Sequence, residues 1–384
     1  MPAVITVHAQ PARKATVRAS RMKKSGWMTL GISALAVCLL RGGTALAQAR
    51  PQSVGVHFIT DVMNVEDFAP IDGTNWVIGS SWSLFGPNPK GPLYVFNTES
   101  ATASAIDPRH VAVRWDKIRY GACPSVPDMA KLISHGLGIV PSKSKVRTLY
   151  VVNHGGRESV EAFSIDLHGK EPSWTWIGCV SAPAGTYPDA VAALPNDGMV
   201  ISSLWNPQDP ERLAKLRAGA PIGSLFEWSP RTGIRELEET KALSGPNGVI
   251  TSTDGEFIFV AVWSGKAVAR IDRSAAKPKI DKVETGFLTD NLRWSPNGRG
   301  IYVGGQATSV DTVLACVESR TVVNCPNVPF QIDSLDPKTL TLTTIIPATT
   351  LGEMGLGTGA IKVGGNYWIS TAHGDRIAIV PASK

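Results

Sequence analysis

Beyond residue 50 the sequence lacks a long amphipathic helical pattern, and it also lacks the motifs of several common enzyme classes. No Cys-x-x-Cys occurs, so a zinc or dithiol redox site has little support. No Gly-x-Ser-x-Gly occurs, which removes the nucleophile elbow of serine hydrolases. The segment GEMGLGTG at 352–359 has neither a Lys-Ser/Thr pair nor a following helix, so it is not a nucleotide-binding loop.

Acidic residues are missing from the first fifty positions, where eight Lys and Arg occur. The whole chain has 38 Lys and Arg against 32 Asp and Glu, so residues 51–384 carry 30 basic side chains against 32 acidic ones. A domain with nearly equal numbers of basic and acidic side chains has no general electrostatic attraction for phosphates. The charge distribution therefore argues against nucleic-acid binding, despite the formal charge of +6.

The basic N-terminal segment has the layout of a secretory signal peptide. A charged stretch, RMKKSGW, precedes the apolar MTLGISALAVCLL, and RGGTALAQA supplies small residues for cleavage after Ala47. We therefore expect residues 1–47 to be a signal peptide, with Met22 as an alternative start, and 48–384 to be one exported domain, periplasmic or secreted. An uncleaved anchor is the alternative. No later apolar run is long enough to span a bilayer.

Cysteine usage agrees with export. Cys38 leaves with the signal peptide, and four cysteines remain. In an oxidising compartment an even count predicts two disulfides, for which four cysteines allow three connectivities. We favour Cys316–Cys325, as the closure of a hairpin across VESRTVVN, which leaves Cys123–Cys179.

Short apolar runs separated by Asp-Gly and Asn-Gly turns predict an all-β fold. One unit, a polar lead-in followed by two strands and a turn, recurs at spacings of roughly 45 to 70 residues, the period of propeller blades. It occurs as PDAVAALPNDGMVISS, PNGVITSTDGEFIFVAV, DNLRWSPNGRGIYVGG and GTGAIKVGGNYWISTA. We predict a six-bladed β-propeller with four antiparallel strands per blade, and a β-sandwich is the alternative. Only DMAKLIS and DPERLAKLRAG are expected to be helical.

The lead-in residues share one chemical type, because all of them are carboxylates or amides. They are Glu66-Asp67, Asp189, Asn247 and Asp290-Asn291. The innermost strands of a propeller begin near the same end of the central tunnel, so these side chains are expected to converge. Convergent oxygens suit a hard cation, and calcium above all. Each residue alone could be an ordinary turn or loop residue, and agreement among four positions favours the cation site.

Several segments resemble the paraoxonase and arylesterase group of calcium-dependent six-bladed propellers, which is related to gluconolactonase and regucalcin. They are TLYVVNHGGRESVEAFSID, SHGLGIV, GPNGVITSTDGEFIFVAV, LTDNLRWSPNGRGIYVGG and the closing GTGAIKVGGNYWISTAHGDRIAIV. The likeness touches most of 52–384 and is weak at 97–128 and 205–240. It implies an exported Ca²⁺-dependent hydrolase whose partner is a small lactone or aryl ester.

The resemblance also assigns roles by position. The ligands of the family's catalytic calcium match Glu66, Asn247, Asp290 and Asn291. Side-chain ligands of its second, structural calcium match Asp67 and Asp189. The pair proposed for proton transfer matches His135 and His154, with His135 as the base. In some relatives a metal-bound Asp is proposed as the nucleophile instead, and that role would fall to Asp290.

Two departures from the family pattern keep other functions open. Pro188 stands where the family has an Asn ligand, and Gln306 stands where paraoxonases have a pocket His. Both favour the alternative of a non-catalytic propeller that binds a small molecule or a protein partner at its tunnel face. A strictosidine-synthase-like propeller without metal is a third hypothesis. A monomer is expected in each case.

Overall fold

The computed structural model describes residues 55–83, 91–195, 197–274, 278–319 and 323–382. The signal peptide predicted for 1–47 and the Asn196 position of one predicted turn lie outside these residues. The described residues belong to one compact unit. Within the described ranges, no helix has the length and apolar character needed to cross a membrane.

Six β-sheets follow one another along the chain, and each is built on four antiparallel strands. The first strand, β1 (His57–Ile59), belongs to the last sheet. Blade 1 contains β2 (Val65–Pro70), β3 (Trp76–Ser81), β4 (Tyr94–Asn97) and β5 (Thr102–Ala105). Blade 2 contains β6 (Val111–Val113), β7 (Ser134–Ile139), β8 (Val146–Asn153), β9 (Ser159–Asp166) and β10 (Ser173–Ser181), and β6 is its extra, parallel strand.

The remaining blades have the same four-stranded plan. Blade 3 contains β11 (Pro188–Ala193), β12 (Met199–Ser203), β13 (Ser224–Ser229) and β14 (Gly233–Leu237). Blade 4 contains β15 (Pro246–Thr251), β16 (Phe257–Val262), β17 (Ala267–Asp272) and β18 (Lys279–Glu284). Blade 5 contains β19 (Leu288–Trp294), β20 (Ile301–Gln306), β21 (Phe330–Leu335) and β22 (Leu342–Thr349). Blade 6 contains β23 (Gly357–Val363), β24 (Asn366–Thr371) and β25 (Ile377–Pro381), with β1 as its outer strand.

The blades close into a ring. Each innermost strand packs against the innermost strand of the next blade, and β23 packs against β2. The N-terminal β1 pairs with β25, so the first strand of the chain completes the last blade. The predicted six-bladed propeller is confirmed, and the alternative β-sandwich is wrong.

Apolar side chains from neighbouring blades fill the space between the sheets. The strand β16 is a continuous apolar run, FIFVAV, because both of its faces pack against other blades. The outer strand β18, KIDKVE, instead consists mostly of charged residues and has no buried position, as expected at the water-exposed edge of a blade. Across the closure, Phe96 of blade 1 meets Trp368 of blade 6 edge to face, with ring centroids 5.9 Å apart.

Two α-helices accompany the blades. Helix α1 (Arg212–Ala218) lies within the predicted DPERLAKLRAG and ends at Gly219, whose φ of 60° is the left-handed conformation of a C-cap. Helix α2 (Val310–Val317) was not predicted, because its β-branched sequence resembles a strand. The helix predicted for DMAKLIS is wrong. That segment holds one 3₁₀ turn, Met129–Lys131, before β7 begins.

Two further 3₁₀ turns cover Pro108–His110 and Glu238–Ala242. Both predicted disulfides are present, Cys123–Cys179 with Cα atoms 5.1 Å apart and Cys316–Cys325 with Cα atoms 5.9 Å apart. The hairpin expected between the second pair is wrong, because Cys316 lies in α2. The bridge therefore ties this helix to the segment that follows it.

Candidate active site

All six innermost strands have the same irregularity near their first residue. Each contains one more residue than its partner strand between two consecutive paired positions, which is a β-bulge. The bulged dipeptides are Glu66-Asp67, His135-Gly136, Asp189-Ala190, Asn247-Gly248, Asp290-Asn291 and Thr358-Gly359. A bulge re-aims side chains that a regular ladder would send to a sheet face. Every predicted metal ligand, and also His135, lies in one of these bulges.

Glycine or alanine occupies the second bulge position in four of the six blades and lets the innermost strands approach each other closely. A Cβ atom added at Gly136 would lie 2.4 Å from Cα of Ala190, and one added at Gly248 would lie 2.5 Å from the carbonyl oxygen of Asp290. Both distances are far below van der Waals contact. Glycine at these positions thus sets how tightly the functional side chains converge.

A cavity of about 80 Å³ lies where the bulges meet, lined by Glu66, Asp189, Asn247, Asp290 and His135 among others. The structure therefore brings together residues that the sequence separates by more than two hundred positions. A polar cavity of this size has room for an ion with water beside it.

The carboxylates in this cavity disfavour each other's charge. Burial, and next the charge of Asp290, holds the pKa of Glu66 well above its usual range. Burial and the same neighbour raise the pKa of Asp189. Burial raises the pKa of Asp290 to about 7, although a hydrogen bond from Gln306 acts in the opposite direction. Buried carboxylates that repel each other are stabilised when a cation lies between them.

The polar groups beside these carboxylates orient Glu66 and leave one buried acceptor unpaired. Asn291 donates from Nδ2 to Oε1 of Glu66 at 2.5 Å, which orients that carboxylate. Thr358 donates to the backbone carbonyl of Glu66 at 2.6 Å. The Oδ1 atom of Asn247 is buried and has no hydrogen-bond partner in the described part of the chain. A buried acceptor without a donor, next to carboxylates, fits a hard cation such as calcium.

Within the described ranges, no group of three His, Cys, Asp or Glu side chains is arranged to hold a metal ion. The candidate set differs from such a group, because Asn247 offers an amide oxygen to the cavity, whereas Asn291 presents its Nδ2 donor to Glu66 and does not line the cavity. Hard cations accept carboxylate and amide oxygens alike.

Gln306 supports Asp290 and does not act as a pocket base. Its Nε2 donates to Oδ2 of Asp290 at 2.6 Å and to the carbonyl of Gly357 at 3.2 Å. Its Oε1 accepts from the indole of Trp263 at 2.9 Å. The amide therefore fixes one oxygen of Asp290 and leaves the other available to the cavity.

A chain of hydrogen bonds connects the two predicted histidines to a glutamate. Nδ1 of His154 lies 2.7 Å from Oε2 of Glu158, and an ionised carboxylate can accept but not donate, so Nδ1 is the donor. In this direction, Nε2 of His154 accepts from Nδ1 of His135, 3.0 Å away. This arrangement leaves Nε2 of His135 as an acceptor, 3.8 Å from Glu66. Burial and the neighbouring His154 hold the pKa of His135 well below its usual range.

Aromatic rings hold both imidazoles in place. His135 stacks on Trp82 with centroids 5.4 Å apart, and His154 stacks on Tyr187 with centroids 4.4 Å apart. The indole of Trp82 donates to the hydroxyl of Tyr187 at 3.0 Å, so the two rings form one wall. Together with Trp205, they give the cavity a flat apolar side.

The structure divides the pair predicted to hold a second cation. Asp189 borders the cavity, whereas Asp67 forms an ion pair with Arg293. Backbone N–H groups of Phe68 and Leu137 also donate to Asp67, at 2.7 and 2.8 Å. Burial raises the pKa of Asp67, and the Arg293 charge opposes that rise.

Several of these residues were missed by sequence reasoning. Glu158 has a detectable signal, because it follows His154 by four residues on an otherwise small and polar turn. Thr358 occupies in GTGAIKV the position that Asn247 occupies in PNGVIT, so aligning the blades would have found it. Trp82 and Tyr187 had no signal that separates them from blade-packing aromatics.

No protein-family profile matches this chain. Cilia- and flagella-associated protein 57 of Mus musculus is 33% identical over 118 residues, which are 31% of this chain and 9% of that protein. The chain therefore spans less than a tenth of that relative, so the relative's activity and partners are not assigned to it.

Some solved structures are similar at low identity. A chain of the nidogen/laminin complex is 11% identical, with a TM-score of 0.41 over 83% of this chain and 85% of that one. Virginiamycin B lyase from Staphylococcus aureus is 11% identical, with a TM-score of 0.43 over 85% and 99%. Luciferin-regenerating enzyme is 10% identical, with a TM-score of 0.45 over 86% and 93%. At these levels the comparisons assign neither a family nor an activity.

Proposed function

We propose that this protein is an exported calcium-dependent hydrolase of lactones or aryl esters. The observation that carries the proposal is the unpaired, buried Oδ1 of Asn247 beside the carboxylates of Glu66 and Asp290. The two disulfides support an oxidising compartment, since such bonds are rare where thiols are kept reduced.

The cation would be held by Glu66, Asn247 and Asp290, with Asp189 next to them, and Asn291, expected from the resemblance to be a ligand, would orient Glu66 through its Nδ2 donor. Calcium bound there would polarise the substrate carbonyl and stabilise the negative charge that develops on its oxygen. The hydrogen bonds from Asn291 to Glu66 and from Gln306 to Asp290 hold both carboxylates in position before the substrate arrives. Preorganised ligands of this kind contribute because they do not have to rearrange during the reaction.

His135 would act as the general base. Its Nε2 atom takes a proton from water while the water oxygen bonds to the carbonyl carbon. The bond from that carbon to the leaving oxygen then breaks, and the proton returns from the imidazolium to the leaving alkoxide or phenoxide. His154 and Glu158 stabilise the imidazolium during this interval, since the chain of hydrogen bonds ends on a carboxylate. A lactone gives one hydroxy acid, and an aryl ester gives an acid and a phenol.

The aromatic wall made by Trp82, Tyr187 and Trp205 supports a flat apolar substrate, such as an aryl ester or a small lactone. The cavity volume of about 80 Å³ favours a second candidate, a non-catalytic propeller that holds an ion and binds its partner outside. Turnover separates the two candidates, because only the hydrolase releases product.

The decisive experiment measures hydrolysis of phenyl acetate and of a small lactone by purified protein, with calcium and with chelator. We expect chelator to abolish hydrolysis, and Glu66→Gln or Asp290→Asn to lower it by about 100-fold or more, since each removes a charged ligand. Glu227→Gln is the matched control, because Glu227 is equally buried but pairs with Arg235 and Arg273 outside the cavity. Full activity in both ligand variants would contradict the proposal.

A further inference from the structure

The side chain of Arg293 crosses the interior of the ring. Arg293 lies on β19, which in the ring neighbours β15 and β23 but not β2 or β7. Its guanidinium nevertheless donates from Nε to the carbonyl of Phe68 on β2 and from Nη2 to the carbonyl of Leu137 on β7, the latter at 3.0 Å. Only 12% of the side chain is exposed. The guanidinium therefore connects three innermost strands at the axis.

Four oxygens surround this one cationic group. Besides the carbonyls of Phe68 and Leu137, Nη1 donates to the carbonyl of Leu292 at 2.8 Å, and Nη2 donates to the carboxylate of Asp67. Carbonyl oxygens together with a carboxylate are the ligands that calcium takes in proteins. The same oxygens would cost free energy if they were buried without any partner, since each lacks water and the carboxylate lacks a counter-charge.

We infer that Arg293 is a built-in substitute for a second metal ion, so that the closed ring of this chain holds one calcium and not two. The count of one calcium rests on the proposed function, which supplies the calcium in the cavity. The contacts of Arg293 do not depend on that calcium. Asp67 and Asp189, the two residues expected to share a second ion, also have different surroundings. Asp67 forms an ion pair with Arg293, and Asp189 lines the cavity.

The substitution has a consequence for stability. A bound ion leaves when its free concentration falls, whereas a side chain cannot dissociate. Chelator should therefore lower the melting temperature of this protein by removing calcium from the cavity, and it should leave the contacts among β2, β7 and β19 intact. The protein is expected to remain a folded propeller without calcium.

Calcium per chain tests the inference directly, by isothermal titration with calcium chloride and elemental analysis of the full exported chain. We expect wild type to bind one calcium. Arg293→Ser should bind a second one, with a dissociation constant of about 10⁻⁴ to 10⁻³ M, and its melting temperature should rise at millimolar calcium. Arg293→Lys keeps a cationic group and should stay at one. If Arg293→Ser folds only when calcium is present, that dependence also indicates that the variant binds the additional calcium.

Arg270→Ser is the matched control, because Arg270 also donates to two backbone carbonyls and one aspartate, Asp281, but at the outer strands. It should bind as much calcium as wild type. Two calcium ions in wild type, or no additional calcium in folded Arg293→Ser, would overturn the inference. No calcium in wild type would refute the proposed catalytic site alone, and the gain in Arg293→Ser would still decide the role of Arg293.

Discussion

Nδ1 of His135 lies 3.0 Å from Nε2 of His154, although His135 lies in β7 and His154 follows the end of β8. His154 is in turn held by Glu158, whose partly exposed carboxylate contacts Nδ1 of His154. An ionised carboxylate accepts hydrogen bonds and cannot donate, so this end sets the direction of the hydrogen bonds through His154 to His135. Proton acceptance at the cavity is thus controlled from the surface.

Replacing Glu158 by Gln should lower kcat by about 10- to 100-fold, the range found when the outer partner of a functional histidine is lost. Since the imidazolium loses its carboxylate, the acidic limb of the pH–rate profile should move to lower pH. Asp166→Asn is the control, because Asp166 makes the same 2.7 Å contact with His168 on the surface. An unchanged pH profile in Glu158→Gln would exclude Glu158 as a positioning residue.

The repeated lead-in explains why so much of the cavity could be predicted. Turn pairs such as Asp254-Gly255 mark the strand boundaries, and a polar residue before an apolar strand keeps the same register in every blade. What the pattern did not contain was the bulge, because nothing in the residue types Glu66-Asp67 or Asn247-Gly248 distinguishes a bulge from a lead-in. The bulges lie where the innermost strands of neighbouring blades approach closely, and the sequence of a single strand does not reveal that approach.

The role of Arg293, by contrast, could not be predicted from the sequence. Its position in DNLRWSPNG fits an ordinary strand, where alternate residues face outwards and an arginine is unremarkable. The structure turns it inwards because oxygens from β2 and β7, far away in sequence, require a cation. Long-range electrostatic pairing of this kind leaves no local signal.

Gln306 should control the affinity for calcium through Asp290. Removal of its amide in Gln306→Leu takes away the hydrogen bond that opposes the burial effect, so the pKa of Asp290 should rise above about 7. A larger fraction of Asp290 is then protonated at neutral pH, and calcium affinity should fall by about tenfold. Calorimetric titration at pH 7 and at pH 9 measures this. The defect should shrink at pH 9, and an equal defect at both pH values would refute the explanation.

The metal-free protein should become less stable as pH rises. Glu66, Asp189 and Asp290 have folded-state pKa values above their ordinary values near 4, so between about pH 4 and pH 7 the folded chain binds more protons than the unfolded chain. The free energy of unfolding therefore falls through that window, by a few kcal/mol in order of magnitude. Calcium should reverse the trend, since it favours the ionised carboxylates. Thermal melts of dialysed protein at pH 5 and pH 8, without and with calcium, test both directions of change. The same pH dependence in both conditions would count against the cation site.

Pro188 offers a gain-of-function test. It lies between Tyr187 and Asp189, which both border the cavity, and its side chain has no oxygen. Pro188→Asn adds an amide oxygen where the resembling family has one, and we expect calcium affinity to rise by about tenfold with ligand number. Pro188→Ala is the control, because it removes the proline ring, as Pro188→Asn does, without adding an oxygen. Equal affinities in the two variants would place position 188 outside the ligand set.

The bridge Cys316–Cys325 should affect substrate binding as well as stability. It fastens α2, whose Val313 and Val317 line the cavity. Replacing both cysteines by Ser should destabilise the protein by about 2–3 kcal/mol, from the short loop that the bridge closes. Because the apolar wall then loosens, KM should rise by more than kcat falls. Removing Cys123–Cys179, which lies in blade 2 away from the cavity, should lower the melting temperature without changing KM. Identical KM effects in the two variants would show that α2 does not shape the binding space.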